Sequence, residues 1–335
     1  MKKAEVEKPG VINLNETSIP KVKSNEVLIE IQAGGICGTD LHIFSREDSF
    51  SHPIGHELTG EIIKMGKEVK NFNIGDKVVI DNNSNCGKCK NCKNGKPEYC
   101  LNIKDFLEEE KISFQEYVAM PASSVYVFNN LSYQEATLAE PLTVALEMLE
   151  TAEVKSNQDI AIFGPGPIGL MAARIAKHKG INNIYLTGKS HSTARLKLAE
   201  KIGVEDIIEV DNQDVVDYFN RNNLSVDRVL ITAPPYTIKD GISILKFGGI
   251  LTYIGFGFGG EEKVELDFNQ VHFNKLQIKA THAIPNRFYP LALDYINKGI
   301  ITKEDFVTDI FDFKNIQNGF ERAKDKDTIK TLINF

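Results

Sequence analysis

A chain of 335 residues with 42% hydrophobic and 25% charged side chains has an ordinary globular composition, which excludes disorder, collagen and coiled coil, and at about 150 residues per domain its length implies two. Lys and Arg total 39 against 46 Asp and Glu, a net charge of −7, so no global positive field recommends nucleic acid or membrane as a partner. The opening Met1-Lys2-Lys3-Ala4-Glu5-Val6 lacks the apolar core of a secretion signal, and the uncharged central stretch Ile160 to Ala173 is too short to cross a bilayer; a cytoplasmic protein is expected.

The first third reads as short strands and turns. Val27 to Ile31 and Gly60 to Ile63 are strand runs, and the Gly75-Asp76 turn leads into Lys77 to Ile80, a pattern suited to a small β-barrel-like domain. Between these runs lie Gly35-Ile36-Cys37-Gly38-Thr39-Asp40-Leu41-His42 and Gly55-His56-Glu57. They place a thiol, two imidazoles and two carboxylates in two short loops. Further on, Cys86, Cys89, Cys92 and Cys100 fall within fifteen residues. Their spacing suits a tetrahedral zinc held by four thiolates, and Lys88, Lys90, Lys93 and Lys96 offset the negative charge. Such a closed site is structural, because no position is left for substrate. A redox CxxC pair or four unconnected thiols are the alternatives, and the loop lacks the paired His and basic helix of a nucleic-acid zinc finger. Glu108 to Lys111 reads as a solvated loop.

After Glu140 the pattern becomes alternating helix and strand. Pro141 to Glu153 has apolar residues at helical spacing, and Asp159 to Phe163 is a buried strand followed by a glycine-rich turn and a helix to Lys179. The next strand is Asn183 to Thr187, followed by a helix from Ser192 to Ile202. Strands then run over Asp227 to Thr232 and Ile250 to Ile254, with a late helix over Tyr289 to Lys298. This alternation implies βαβ units and a parallel, doubly wound sheet. The turn Gly164-Pro165-Gly166-Pro167-Ile168-Gly169 stands between strand and helix, where a glycine-rich turn aims the helix N-terminus at a pyrophosphate. The second strand of such a unit ends in a carboxylate when it holds the adenosine ribose of NAD. Here the place reads Gly188-Lys189-Ser190, with no carboxylate until Glu200, which favours NADP over NAD. The thiol, imidazoles and carboxylates of Cys37, Asp40, His42, His56 and Glu57, together with Glu140, look like the surroundings of an open, catalytic zinc site.

With these motifs in order, the chain resembles the zinc-dependent medium-chain dehydrogenase/reductase family, the alcohol and sorbitol dehydrogenase-like enzymes, over nearly its whole length. The resemblance implies an α/β protein with a GroES-like β-barrel catalytic domain over 1–144 and 280–335. A doubly wound Rossmann NAD(P)-binding domain over 145–279 would interrupt it, with the active site in the cleft between them. It matches Cys37, His56 and Glu140 to catalytic zinc ligands and Glu57 to an adjacent carboxylate that binds the metal directly or through water. It also matches Asp40 to the acid orienting His56, and Thr39 and His42 to a proton relay. The implied activity is hydride transfer between a secondary alcohol, a polyol or sugar alcohol, and NAD(P), with two Zn2+ per chain. The Glu140-Pro141-Leu142 motif is similar to the sorbitol branch, and Cys37 to Phe44 is also similar to threonine dehydrogenases, so L-threonine 3-dehydrogenase is an alternative. A non-catalytic, cofactor-binding structural protein is another, and a zinc-stabilised nucleic-acid binder a third. A homodimer or homotetramer is expected, with Gly249 to Gly255 as a candidate edge for strand pairing.

Overall fold

Ten residues from Glu26 to Gly35, almost all buried and rich in Val, Ile and Leu, make the strand around which the N-terminal part of the chain is built. The computed structural model describes residues 1–47, 52–257, 262–282 and 287–335. It divides into two compact units, Met1–Thr143 with Ile284–Phe335, and Val144–Ala283.

In the first unit the Glu26–Gly35 strand carries bulges after Leu28 and Ile31, which bend it and let it serve different partners at its two ends. Its first half pairs with Tyr117–Pro121 and its last residues pair with Lys330–Asn334, while Glu57–Met65 runs antiparallel along its other edge. The sheet continues outward through Lys77–Ile80 to Val125–Val127 on one side and to Val307–Asp312 on the other. The C-terminal segment therefore completes the sheet begun near the N-terminus. Phe320, on the Ile316–Ala323 helix, lies 5.2 Å from Phe44 and 5.9 Å from Phe114 between ring centroids, all three fully buried. It locks that helix against the one spanning Gly38–Ser45.

The second unit is one parallel sheet of six strands. The order is Asp206–Glu209, Ile184–Gly188, Ile160–Phe163, Val226–Ile231, Leu245–Tyr253 and Gln277–Ala280. In chain order that is 3-2-1-4-5-6, the doubly wound arrangement with its switch point beside the first strand. Helices Pro167–His178 and Thr193–Ile202 form the first two connections. One expectation fails here. The Leu245–Tyr253 strand is paired on both sides, by Val226–Ile231 and by Gln277–Ala280, so it offers no free edge. The edge on that side is Gln277–Ala280, whose short, mixed sequence Gln-Ile-Lys-Ala gives no strand signal. Among the described residues no helix is long and apolar enough to cross a membrane.

Phe320→Ala should cost about 3–5 kcal/mol of stability, because three rings lose their common contact and the cavity cannot collapse. Urea unfolding followed by circular dichroism checks this, and a loss under about 1 kcal/mol would show that the site repacks.

Candidate metal centre and dinucleotide turn

Cys37 caps the Gly38–Ser45 helix, and Asp40, three residues into it, closes a capping box by accepting the Cys37 N–H at 2.9 Å. The same carboxylate accepts the Gly55 N–H at 2.8 Å, and its Oδ1 lies 3.5 Å from Nδ1 of His56. One fully buried acid thus fixes both ligand-bearing loops. The Sγ of Cys37, a ring nitrogen of His56 and a carboxylate oxygen of Glu57 all lie within 4.8 Å of one another. His56 Nδ1 is buried without a hydrogen bond. Burial works against a proton on His56, yet the charges of Asp40 and Cys37 raise its pKa well above the ordinary value. The pocket thus favours positive charge at that point, which is the field a cation-binding site requires. These donors fit zinc, which takes thiolate, imidazole and carboxylate ligands.

Glu57 stands opposite Gly35 across the strand pair, and a side chain on Gly35 would collide with its carboxylate. Glycine at 35 therefore lets the carboxylate lie over the neighbouring strand. Both its oxygens accept from Nζ of Lys330, at 2.6 and 2.7 Å, and Nζ also donates to the Ile36 carbonyl at 3.2 Å. Lys330 and Glu57 are 3% and 1% exposed, so this is a buried ion pair. Sequence reading missed Lys330: a lysine in Lys-Thr-Leu-Ile-Asn carries no motif, and its partner is 273 residues away. Glu140 opens the Ala139–Thr151 helix and is buried, but it lies outside the tight group of Cys37, His56 and Glu57. Burial pushes its pKa up to about 7, with His56 and Lys330 opposing and Glu57 and Asp40 adding to the rise. Asp81, also buried, is pushed to about 8 by burial and by Glu140. Thr39 and His42 lie three residues apart on the Gly38–Ser45 helix, hence on one face, Thr39 exposed and His42 half-buried.

The second cluster is the loop carrying Cys86, Cys89, Cys92 and Cys100, whose sulfurs lie within 4.8 Å of one another. Sulfurs about 2.3 Å from a tetrahedral zinc sit about 3.8 Å apart, and here Cys89 is 3.5 Å from Cys92 and 4.0 Å from Cys100. Backbone N–H groups of Cys86, Cys89 and Asn102 point at sulfurs of the set. Backbone donors draw the Cys86 pKa down to about 6, while burial and the neighbouring thiols push Cys92 to about 12. Four thiolates cannot coexist there unaided; a divalent cation would make them compatible.

In the second unit the Ile160–Phe163 strand runs into Gly164 at φ +105°, then Pro165, Gly166 as N-cap, and Pro167 as the first residue of the helix. A side chain on Gly164 would meet Thr232 Oγ1 at 2.8 Å, and one on Gly169 would strike the Gly164 carbonyl. Beside Gly166 there is open space. That is the cradle a pyrophosphate needs. Pro165 and Pro167 have no N–H, so the amides of Gly166, Ile168 and Gly169 are the donors left at the turn. At the end of the Ile184–Gly188 strand, Gly188 is buried and Lys189 exposed. Ser190 is bonded through its backbone N–H and its hydroxyl to the carboxylate of Asp211.

Residues 23–130 match the alcohol dehydrogenase GroES-like domain and residues 167–298 the zinc-binding dehydrogenase family. Sorbitol dehydrogenase of Bacillus subtilis (strain 168) is 30% identical, covering 96% of this chain and 93% of the relative. L-threonine 3-dehydrogenase of Alteromonas mediterranea is 30% identical over 95% of this chain and 94% of the relative. A crystal structure of a short chain alcohol dehydrogenase from E. coli CFT073, complexed with cofactor NADH, superposes with TM-score 0.92 at 25% identity, covering 100% of this chain and 99% of that one.

Two outcomes follow from the buried charges. Lys330→Met strands an uncompensated Glu57 carboxylate and should cost about 3–5 kcal/mol, most of it recovered in the Lys330→Met/Glu57→Gln double variant; a single variant as stable as wild type in denaturant titration would contradict this. Asp81 binds its proton more tightly folded than unfolded, so its contribution to stability declines as pH rises from about 4 to about 8. Asp81→Asn should therefore flatten the pH dependence of the melting temperature across that window, and an unchanged slope would count against it.

Proposed function

This chain belongs to the family of zinc-binding dehydrogenases with an alcohol dehydrogenase GroES-like domain, and on that premise we propose that it transfers hydride between a secondary alcohol, a polyol or sugar alcohol, and a nicotinamide dinucleotide. The observation that carries this reading is the convergence of Cys37, His56 and Glu57 within 4.8 Å, in a chain whose second unit has a cradled glycine turn.

In this reading the chain holds two zinc ions. Cys86, Cys89, Cys92 and Cys100 take one, and Cys37 and His56 with a carboxylate take the other. Glu140 is the third ligand favoured by the ion pair, since Lys330 already engages both oxygens of Glu57. When bound, zinc lowers the pKa of an alcohol as a Lewis acid and the nicotinamide accepts hydride. Asp40 orients His56 and keeps its loop fixed to the Cys37 loop, so that the donors keep their spacing. Thr39, whose hydroxyl both donates and accepts, takes the alcohol proton and hands it on toward His42. Lys330 keeps the charge of Glu57 compensated, while the amides of Gly166, Ile168 and Gly169 hold the dinucleotide. Which dinucleotide is taken turns on the ribose end, where exposed Lys189 attracts a 2′-phosphate and the carboxylate of Asp211 repels one. The protein acts as a homo-oligomer in the cytoplasm.

A second reading, L-threonine 3-dehydrogenase, draws on relatives of that name at 28–30% identity. Initial rates of cofactor reduction with sorbitol, xylitol and threonine separate the two. Polyol turnover is expected, and threonine turnover alone would move the assignment. Elemental analysis should give about two zinc per chain, falling to about one in Cys37→Ser with turnover lost at least 100-fold, and to about one in Cys89→Ser. A single zinc that survives Cys37→Ser would refute the open site.

A further inference from the structure

Gly188 occupies the place where a carboxylate holds the adenosine ribose in NAD-binding folds. In the structure its identity answers to packing. A side chain there would meet Leu196 Cδ2 at 2.8 Å and the ring Cγ of Pro165 at 2.9 Å. The glycine turn and the following helix close on the strand end, so a side chain at 188 must displace the Pro165 ring and Leu196, and glycine there has a packing reason whichever cofactor the chain takes. The absence of a carboxylate at that position therefore does not by itself favour NADP.

The neighbouring strand supplies what position 188 cannot. Asp206–Glu209 runs parallel to Ile184–Gly188 with Glu209 opposite Gly188, and the Val210 N–H donates to the Gly188 carbonyl at 3.0 Å. The chain then turns so that Asp211 reaches the loop just beyond Gly188. There its carboxylate accepts the Ser190 N–H at 2.9 and 3.2 Å and the Ser190 hydroxyl at 2.6 Å. These bonds hold its pKa below the ordinary carboxylate range, so it is ionised at neutral pH. Asp211 is exposed to solvent and keeps lone pairs that Ser190 does not use.

We propose that Asp211, fixed on Ser190, is the cofactor-selecting residue of this chain: it accepts a ribose hydroxyl of NAD(H) and excludes the 2′-phosphate of NADP(H). The proposal rests on the reading of the glycine turn as a dinucleotide site and names which dinucleotide it takes. A 2′-phosphate would bring its negative charge against a carboxylate held in place by three hydrogen bonds. It would also find the neutral donors of Ser190 already taken. Against this stand exposed Lys189 and His191, the latter near enough to interact electrostatically with Asp211. A solvated lysine gives little to a phosphate when a fixed carboxylate shares the site.

The test is isothermal titration of the full-length, zinc-replete protein with NADH and NADPH, and with 5′-AMP and adenosine 2′,5′-bisphosphate as probes of the ribose end alone. Wild type should bind NADH at least about tenfold more tightly than NADPH, with the same order for the two short probes. Asp211→Asn keeps the size and removes the charge; it should move the NADPH-to-NADH affinity ratio about tenfold toward NADPH with an unchanged melting temperature. Ser190→Ala, which releases the carboxylate, should weaken the discrimination. Tighter NADPH binding by wild type, or a ratio unmoved by Asp211→Asn, overturns the proposal. Failure of both dinucleotides to bind wild type would instead remove the dinucleotide reading, and this assignment with it.

Discussion

Two backbone N–H groups, those of Cys37 and Gly55, converge on the buried carboxylate of Asp40, and the candidate metal centre depends on that convergence. Charge-assisted bonds of this kind are each worth about 1.5–3 kcal/mol, and leaving a buried charge without them costs more. The loop bearing Cys37 and the loop bearing His56 are therefore held by one group rather than packed independently. His56 inherits a negative field from the same acid. The local sequence explains why this works: Asp40 is the third residue of a helix whose N-cap is Cys37. One side chain caps the helix and sets the spacing of the site.

The C-terminal strand adds the second constraint. Lys330–Asn334 pairs with the last residues of Glu26–Gly35, and its first residue carries an ammonium group to Glu57. A buried ion pair is poor evidence for stability, since two desolvated charges do little better than apolar side chains of equal volume. Its consequence is positional: the carboxylate cannot leave without exposing the lysine charge, and the reverse holds too. Asp40 holds the loops of Cys37 and His56 and Lys330 holds Glu57, so a bound cation would enter a site whose ligands are already oriented.

Much of this was legible in the sequence where chemistry is local. The four cysteines lie in one loop, and the glycine turn follows its strand directly, so spacing alone describes them. Cys37, His56 and Glu57 were legible as candidates because each sits in a short motif. The hidden parts depend on long-range pairing. Lys330 meets Glu57 only after the C-terminal strand closes the sheet, and Asp211 meets Ser190 only because two parallel strands end side by side. Gln277–Ala280 was missed because four residues of mixed polarity carry no period, and Leu245–Tyr253 was consequently misjudged as an edge. Gly188 carries two readings at once, since the place where a carboxylate holds the ribose in NAD-binding folds is also a crowded strand end that only the packing reveals.

In the proposed site, one set of thiols closes around a structural ion while Cys37 and His56 hold a second in an open position. Anomalous diffraction from crystals of the purified protein, recorded on both sides of the zinc absorption edge, tests it directly. Two zinc peaks are expected, one among Cys86, Cys89, Cys92 and Cys100 and one at bonding distance, about 2.0–2.3 Å, from the Cys37 sulfur and the His56 ring. A single peak in the four-cysteine loop, with none at Cys37, would contradict it.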